Sequence, residues 1–334
     1  MIFLINFFLI IISFLISNKL IKLFIFKLKE KFIDFPNNRS MHVDPKPTGL
    51  GIIFAFITIL SSLIYLLIFG YSNILIIPIL CIPLTIVGIL DDLYKVSSFI
   101  RYFFHIFTAS SILFASNIFL NYISEENFLN YLIFILITFL FTAILNFINF
   151  MDGIDGIVGG SLFISILTCC IFLKIGQPYL FLLGSLMAFI IWNWNPAKIF
   201  MGDTGSTFLA AINIGLISLS NNLSDAIGLT LILTPFLIDP FVCVLRRYFY
   251  NEKIFEAHCL HLYQRLKRKG MRQSNISLIY IFLTVLLSIN FLIFGLLGTF
   301  ITSIFVIMIG FYLDQNVALS FALALKKSNL RKYE

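Results

Sequence analysis

Asn149, Asp152 and Asp155 are spaced by three residues in NFINFMDGIDGIVGG, residues 146–160, between two apolar runs. On a helix each such step returns to within ~60° of the last, so the three would share one side. A carboxylate at the edge of an apolar medium needs a partner, because an unpaired charge there is costly. A divalent cation and the phosphates it binds would supply one. The glycines of the stretch let a ligand or another backbone come close. The plain alternative is a polar turn between two spans.

Other polar stretches offer compatible chemistry. Asp91 and Asp92 end an apolar run as part of DDLYKV. Adjacent carboxylates repel, so one holds a proton unless a cation intervenes, or the pair simply stops a helix. NPAKIFMGDTGS, residues 195–206, presents backbone N–H groups at a helix start, a setting suited to anions. In it Asp203, between Gly202 and Gly205, is an acceptor-only ligand of the kind Mg²⁺ favours, and Phe200 could stack on a base. His258, His261 and Arg265, spaced by three and four, would face one way on a helix and suit a pyrophosphate or a sugar. With Cys259 the two histidines could suggest zinc, but a fourth ligand is missing and Cys259 would point elsewhere. Lys267 to Arg272 reads as a solvated basic helix. Asp239 is expected to pair with Arg246 or Arg247, and His105 to be a satisfied interior histidine. His42, Lys46 and the following Pro-Thr-Gly turn would line the edge of a site.

The elements that must position these residues are apolar. The chain has 334 residues, 60% hydrophobic and 12% charged, with a mean hydropathy of +1.02. That composition belongs to a polytopic membrane protein and excludes a soluble globular one. Five scattered cysteines without a CxxC pair make neither a disulfide framework nor a zinc ribbon. The net charge of +7 is laid out by membrane topology and carries no nucleic-acid signal.

Eleven apolar runs are readable: Ile2–Ser17, Gly51–Phe69, Ile74–Leu90, Tyr102–Leu120, Leu129–Leu145, Ile157–Leu173, Tyr179–Trp194, Thr207–Leu219, Ile227–Leu245, Ile276–Phe294 and Thr299–Leu313. The first lacks a basic flank and a small-residue cleavage site, which favours a retained span over a signal peptide. Pro78, Pro83 and Pro235 should kink the spans that contain them. With the N-terminus outside, 22 of the 23 basic residues fall on the inner side and Lys174 alone outside, while Glu125, Glu126 and Asp225 lie in outer loops. The expected fold is a single polytopic all-α integral membrane domain over residues 1–334. It has about eleven transmembrane helices, a cytoplasmic C-terminus and an active site in cytoplasmic loops. All five polar stretches, including RSMHVDPKPTGLG at residues 39–51, then fall on the cytoplasmic face.

DDLYKV, NFINFMDGIDG, NPAKIFMGDTGS and HCLHLYQR, in that order, resemble the polyprenyl-phosphate N-acetylhexosamine-1-phosphate transferase family. That family includes initiators of O-antigen, enterobacterial common antigen and teichoic acid, and the muramoyl-pentapeptide transferase of peptidoglycan synthesis. The resemblance implies transfer of an amino-sugar-1-phosphate from a UDP-sugar to undecaprenyl phosphate, with release of UMP and with Mg²⁺ or Mn²⁺ as cofactor. It implies a multi-pass protein of the bacterial inner membrane whose partners are undecaprenyl phosphate, a UDP-amino sugar and membrane lipid, with no nucleic acid; a homodimer is left open. It assigns Asp203 to the metal and Asp91, with Asp92 beside it, to the base or to orienting the lipid phosphate. Asp152 and Asp155 complete the catalytic set and, with Asn149, hold the nucleotide and support the metal. Phe200 would stack on uracil. His258, His261 and Arg265 would contact pyrophosphate or sugar, with Gly202 and Lys46 also on the substrate side.

Two departures bear on the substrate. Only His258 and His261 stand where the peptidoglycan enzyme carries a denser histidine cluster, and Gly49-Leu50-Gly51 replaces a Gly-Gly pair. Both favour an O-antigen or capsule initiator over the muramoyl-pentapeptide alternative, and leave the sugar open. A transporter or flippase would place its ionisable residues near the midplane in paired repeats, and no repeat is visible. A catalytically dead scaffold would not be expected to keep Asp91, Asp203 and the Asn149–Asp155 set.

Overall fold

The computed structural model describes residues 2–28, 32–36, 41, 44–123, 127–254, 256 and 258–330. Arg39, His42, Glu125 and Glu126 lie outside them. The described chain is nearly all helix. In order come α1 (Ile2–Leu28), a two-residue antiparallel pair β1 (Ile33–Asp34) and β2 (Lys46–Pro47), α2 (Gly51–Phe69), α3 (Asn73–Leu80) and α4 (Ile82–Tyr94). Then follow α5 (Ser98–Phe114), α6 (Asn117–Tyr122), α7 (Phe128–Phe150), α8 (Ile157–Phe172), α9 (Tyr179–Asn193), α10 (Gly202–Ser218) and α11 (Leu223–Leu231). The last elements are α12 (Thr234–Phe249), α13 (Leu262–Arg268), α14 (Gln273–Tyr312), a π turn at Leu313–Val317 and α15 (Phe321–Leu330).

Five described segments are long and apolar enough to cross a membrane: Leu4–Lys27, Gly51–Phe69, Asn73–Tyr94, Phe128–Phe150 and Gln273–Val317. The pair α11 and α12, bent by 73°, makes a sixth if it counts as one span. The helices α5, α8 and α9 are apolar but shorter. Gln273–Val317 has 45 residues. Straight, it would reach roughly 65 Å, about twice a hydrocarbon core. It is not straight: Gly295 takes a left-handed φ of 60°, and Ile279 and Leu283 line the same cleft as Val306 and Ile307. The chain therefore doubles back at Gly295. The run Ile227–Leu245 is bent at Pro235 as expected: Pro235 opens α12 just after the 73° break, where a missing N–H costs nothing.

The helix around which the others gather is α10. From Thr204 to Ser218 every residue is buried, with α2, α4, α7 and α8 packed about it. Glycines permit the approach. A Cβ on Gly51 of α2 would stand 2.2 Å from Gly205 Cα, and one on Gly88 of α4 would stand 2.6 Å from Thr204 Cα. Without a hydrophobic drive between helices in lipid, such close backbone packing holds a bundle together. The pair α1 and α9 uses the same device: Gly184 lies against the Ile10 carbonyl, Ser13 donates to Phe181 O at 2.5 Å, and Trp192 donates to Asn18 at 2.8 Å.

A candidate phosphate-handling site at the helix ends

The packing brings the end of α4, the start of α5, the end of α7 and the start of α10 together. Beside them opens a cavity of about 540 Å³ lined by Asp91, Asp92, Asn149, Asp152, Asp155, Phe200, Gly202, Asp203 and His258. The stretches read separately along the chain thus meet at one place.

Each aspartate has its own job. Asp91 accepts from Val96 N at 2.7 Å, closing the turn that ends α4, and its second oxygen takes Arg101 Nη1 at 3.2 Å. The same Arg101 nitrogen reaches Asp203 at 2.8 Å, so one guanidinium bridges the two carboxylates. Asp92 accepts from Asp203 N at 2.9 Å, from Thr204 N at 3.2 Å and from Thr204 Oγ1 at 2.7 Å. Both its oxygens are occupied capping α10, which satisfies orphan donors there. Gly202 makes this possible: its φ is +70°, and a Cβ would fall 2.4 Å from an Asp92 oxygen.

Helix α7 stops at Phe150, and residues 151–156 are turns. The expectation that Asn149, Asp152 and Asp155 share a helix side is therefore corrected. Asn149 ends the helix and accepts from Ser206 Oγ at 2.5 Å, tying α7 to α10. Asp155 is buried and accepts from Asn195 Nδ2 at 2.7 Å and Ala197 N at 3.0 Å, so it holds the NPA turn in place. Asp152 lines the cavity, where burial first, then the charges of Asp203, Asp92 and Asp155, push its pKa up to about 8. A group of carboxylates that raise one another's affinity for protons is short of a cation.

Phe200 sits at the cavity wall, with Lys46 Nζ 5.4 Å from its ring centroid and its N–H donating to Pro47 O at 2.8 Å. Lys46 reaches the site through that ring and is not itself in the lining.

The histidine stretch departs most from expectation. Residues 258–260 are not helical and α13 starts only at Leu262, so His258, His261 and Arg265 do not present one face to the cavity. His258 lines it; burial, followed by His261 and Arg247, pulls its pKa down to about 2, leaving a neutral imidazole rather than a cation. His261 and Arg265 are buried away from the lining. Arg265 binds Asp314, the Leu260 carbonyl at 3.0 Å and the Leu319 carbonyl at 2.9 Å. Nor does Asp239 pair with Arg246 or Arg247. It accepts from Leu262 N at 2.7 Å, Tyr263 N at 3.2 Å and Tyr280 Oη at 2.7 Å, while Arg246 binds Asp314 and Arg247 binds the Ile254 and Lys253 carbonyls. Lys267 is not simply solvated; it is half-buried and donates to Met41 O, and burial lowers its pKa. His105 does behave as an interior histidine, 3.2 Å from Asn146 Oδ1.

The residue missed by reading motifs is Arg101. It counts in the sequence only as one basic residue near a helix start, and nothing local says that it faces two aspartates. Gln264, which stands in HCLHLYQR without an assigned role, and Gln273 also line the cavity.

Residues 74–221 match the family model described as glycosyl transferase family 4. The chain is 26% identical, over 258 residues, to a probable undecaprenyl-phosphate N-acetylglucosaminyl 1-phosphate transferase of Bacillus subtilis, covering 72% of this chain and 70% of that protein. It is 32% identical over 130 residues to a putative phospho-N-acetylmuramoyl-pentapeptide-transferase of Methanothermobacter thermautotrophicus, covering 38% of this chain and 35% of that protein. It is 35% identical over 81 residues to a phospho-N-acetylmuramoyl-pentapeptide-transferase of Endomicrobium trichonymphae, covering 23% and 22%.

Proposed function

From the match of residues 74–221 to glycosyl transferase family 4 we propose that the chain transfers an N-acetylated amino-sugar-1-phosphate from a UDP-sugar to undecaprenyl phosphate. The observation that carries this reading is the meeting of Asp91, Asp152 and Asp203 at one cavity, with Arg101 bridging Asp91 and Asp203 beside it. The lipid phosphate oxygen attacks the sugar-proximal phosphorus, a new P–O bond forms, and the bond to UMP breaks. Two anions must approach, so charge neutralisation and alignment do most of the work.

The donor set is all oxygen, which fits Mg²⁺ or Mn²⁺ and not a soft metal. Asp203 and Asp152 would hold the ion, whose contribution is to neutralise the diphosphate and the leaving UMP. Arg101 supplies the fixed positive charge beside it. Asp91 fixes Arg101 and orients the incoming lipid phosphate. Asp92 and Asp155 act as positioning residues, one through the start of α10 and the other through the NPA turn. Asn149 sets the height of α7 against Ser206. Phe200 offers its ring to the uracil, and His258 offers a neutral hydrogen-bonding nitrogen to the sugar.

The distribution of basic residues supports a cytoplasmic site, with the N-terminus outside and eleven crossings of a bacterial inner membrane. The fold-back at Gly295 supports counting Gln273–Val317 as two of them. The sparse histidine stretch favours an O-antigen or other envelope-glycan initiator over muramoyl-pentapeptide transfer.

The test is incubation of the purified protein with undecaprenyl phosphate, Mg²⁺ and a panel of UDP-amino sugars that includes the muramoyl-pentapeptide nucleotide. The lipid product is read by mass. A pyrophosphate-linked sugar with matching UMP release is expected from one N-acetylated sugar. Product from the pentapeptide nucleotide alone would select the second reading, and no product from any donor would end the first.

A further inference from the structure

Cys243 of α12 lies beside His258 and His261, and each of the three can offer one ligand atom, all lying within 4.8 Å of one another. In sequence Cys259 is the cysteine next to these histidines; the fold brings Cys243 instead. We propose that Cys243, His258 and His261 form a site for a soft divalent cation of the zinc type.

Thiolate with two imidazoles is the donor set that zinc prefers, and three protein ligands leave a fourth position for water or another ligand. Zn–N and Zn–S bonds of about 2.0 and 2.3 Å place ligand atoms roughly 3.5 Å apart, so closure needs about 1 Å of side-chain movement. His258 stands on a non-helical segment that can supply it.

A second observation points the same way. His261 is 3% exposed, and among the described residues its Nδ1 has no hydrogen-bond partner. That nitrogen lies 3.7 Å from the buried Asp239 carboxylate. A carboxylate behind a histidine is the arrangement that orients an imidazole for a metal. The hydrogen bonds described for Asp239 come from two backbone N–H groups and a phenol, all neutral. A cation held by His261 would balance its charge. Three arginines are nearby, but each is engaged: Arg246 and Arg265 with Asp314, and Arg247 with two carbonyls.

Binding would release the Cys243 thiol proton and form one S–metal and two N–metal bonds, with no redox change. It would pin the His258 segment to α12 at the wall of the phosphate cavity. The site is separate in chemistry from the oxygen-donor site around Asp203; with the ion bound, the free His258 nitrogen goes to the metal rather than to the sugar, and the metal test does not depend on which reaction that cavity performs.

The full-length protein, stripped with a chelator and kept in excess Mg²⁺, is titrated with Co²⁺ as a spectroscopic stand-in for zinc. One equivalent of cobalt giving a thiolate-to-metal charge-transfer band, displaced by Zn²⁺, is expected. Cys243→Ser should lose the band and Cys259→Ser should keep it. His258→Ala should weaken cobalt binding by about 10-fold or more. Absence of the band in the unaltered protein overturns the site. So does a band that survives Cys243→Ser. Should Cys243→Ser fail to fold, undiminished cobalt affinity in His258→Ala overturns it as well.

Discussion

Arg101 donates from Nη1 to the Asp203 carboxylate at 2.8 Å, across 102 residues of chain. The guanidinium stands where a metal at Asp203 would need to draw on the same oxygens. Replacing Arg101 with Ala should leave a more negative pocket, so half-maximal Mg²⁺ should fall several-fold while turnover drops by about 10²–10³. A Mg²⁺ titration of UMP release reads both. A higher Mg²⁺ requirement in the variant would show that Arg101 helps the ion in rather than competing with it.

Asp203→Asn keeps the shape and the first turn of α10 but removes the charge. It should abolish Mg²⁺-dependent release of UMP in a protein that still folds, as judged by its helical circular dichroism. Normal turnover would remove Asp203 from the metal.

Asp152 gives a pH signature. Its pKa stands near 8 against an ordinary 3.8, so the folded, metal-free protein binds this proton more tightly than the unfolded chain. Stability from that difference is fully present below pH 3.8 and is lost as pH rises through 8. Mg²⁺ must displace the proton, so its affinity should rise between pH 6 and 8 with release of up to one proton. Calorimetry in buffers of different ionisation enthalpy counts that proton. In Asp152→Asn the pH dependence should flatten; if it does not, another group carries it.

Gly51 and Gly205 meet with no room for a side chain. Gly51→Ala should push α2 off the start of α10, destabilise the protein by about 1–3 kcal/mol and displace Asp203. Thermal unfolding in detergent and activity should fall together. A variant with unchanged stability would show that α2 can shift freely.

Arg265 tests the reassignment of the histidine stretch. It bonds to Asp314 and two carbonyls inside the protein rather than facing the cavity. Removing it leaves the half-buried Asp314 carboxylate with one arginine fewer and two carbonyls without their donor. Arg265→Ala should therefore lower stability by about 3 kcal/mol or more with little change in KM for the nucleotide sugar among folded molecules. A large rise in KM at full stability would restore it to the substrate side.

What the chain determined alone was its class and its chemical vocabulary. Apolar runs lie in sequence order, and their length and polarity are local properties, so helices and their approximate limits could be read directly. The same holds for the acidic motifs, because residue type and spacing are written in the chain. What a motif's side chains do depends on partners that are far away. Asp92 and Asp203 look alike in sequence, yet Asp92 gives both oxygens to the α10 N-terminus while Asp203 stays available beside Arg101. Asp155 and Asp152 sit three residues apart and both reach the cavity, but only the turns after Phe150 commit an Asp155 oxygen to the NPA loop. His261 and Arg265 have the right spacing for a helical face, but the helix begins too late to use it. Helical periodicity cannot report where a helix stops by one turn, nor which donor from a distant helix will arrive at a given oxygen. Tertiary packing, through the glycine contacts that seat α10 against α2 and α4, decided those matters.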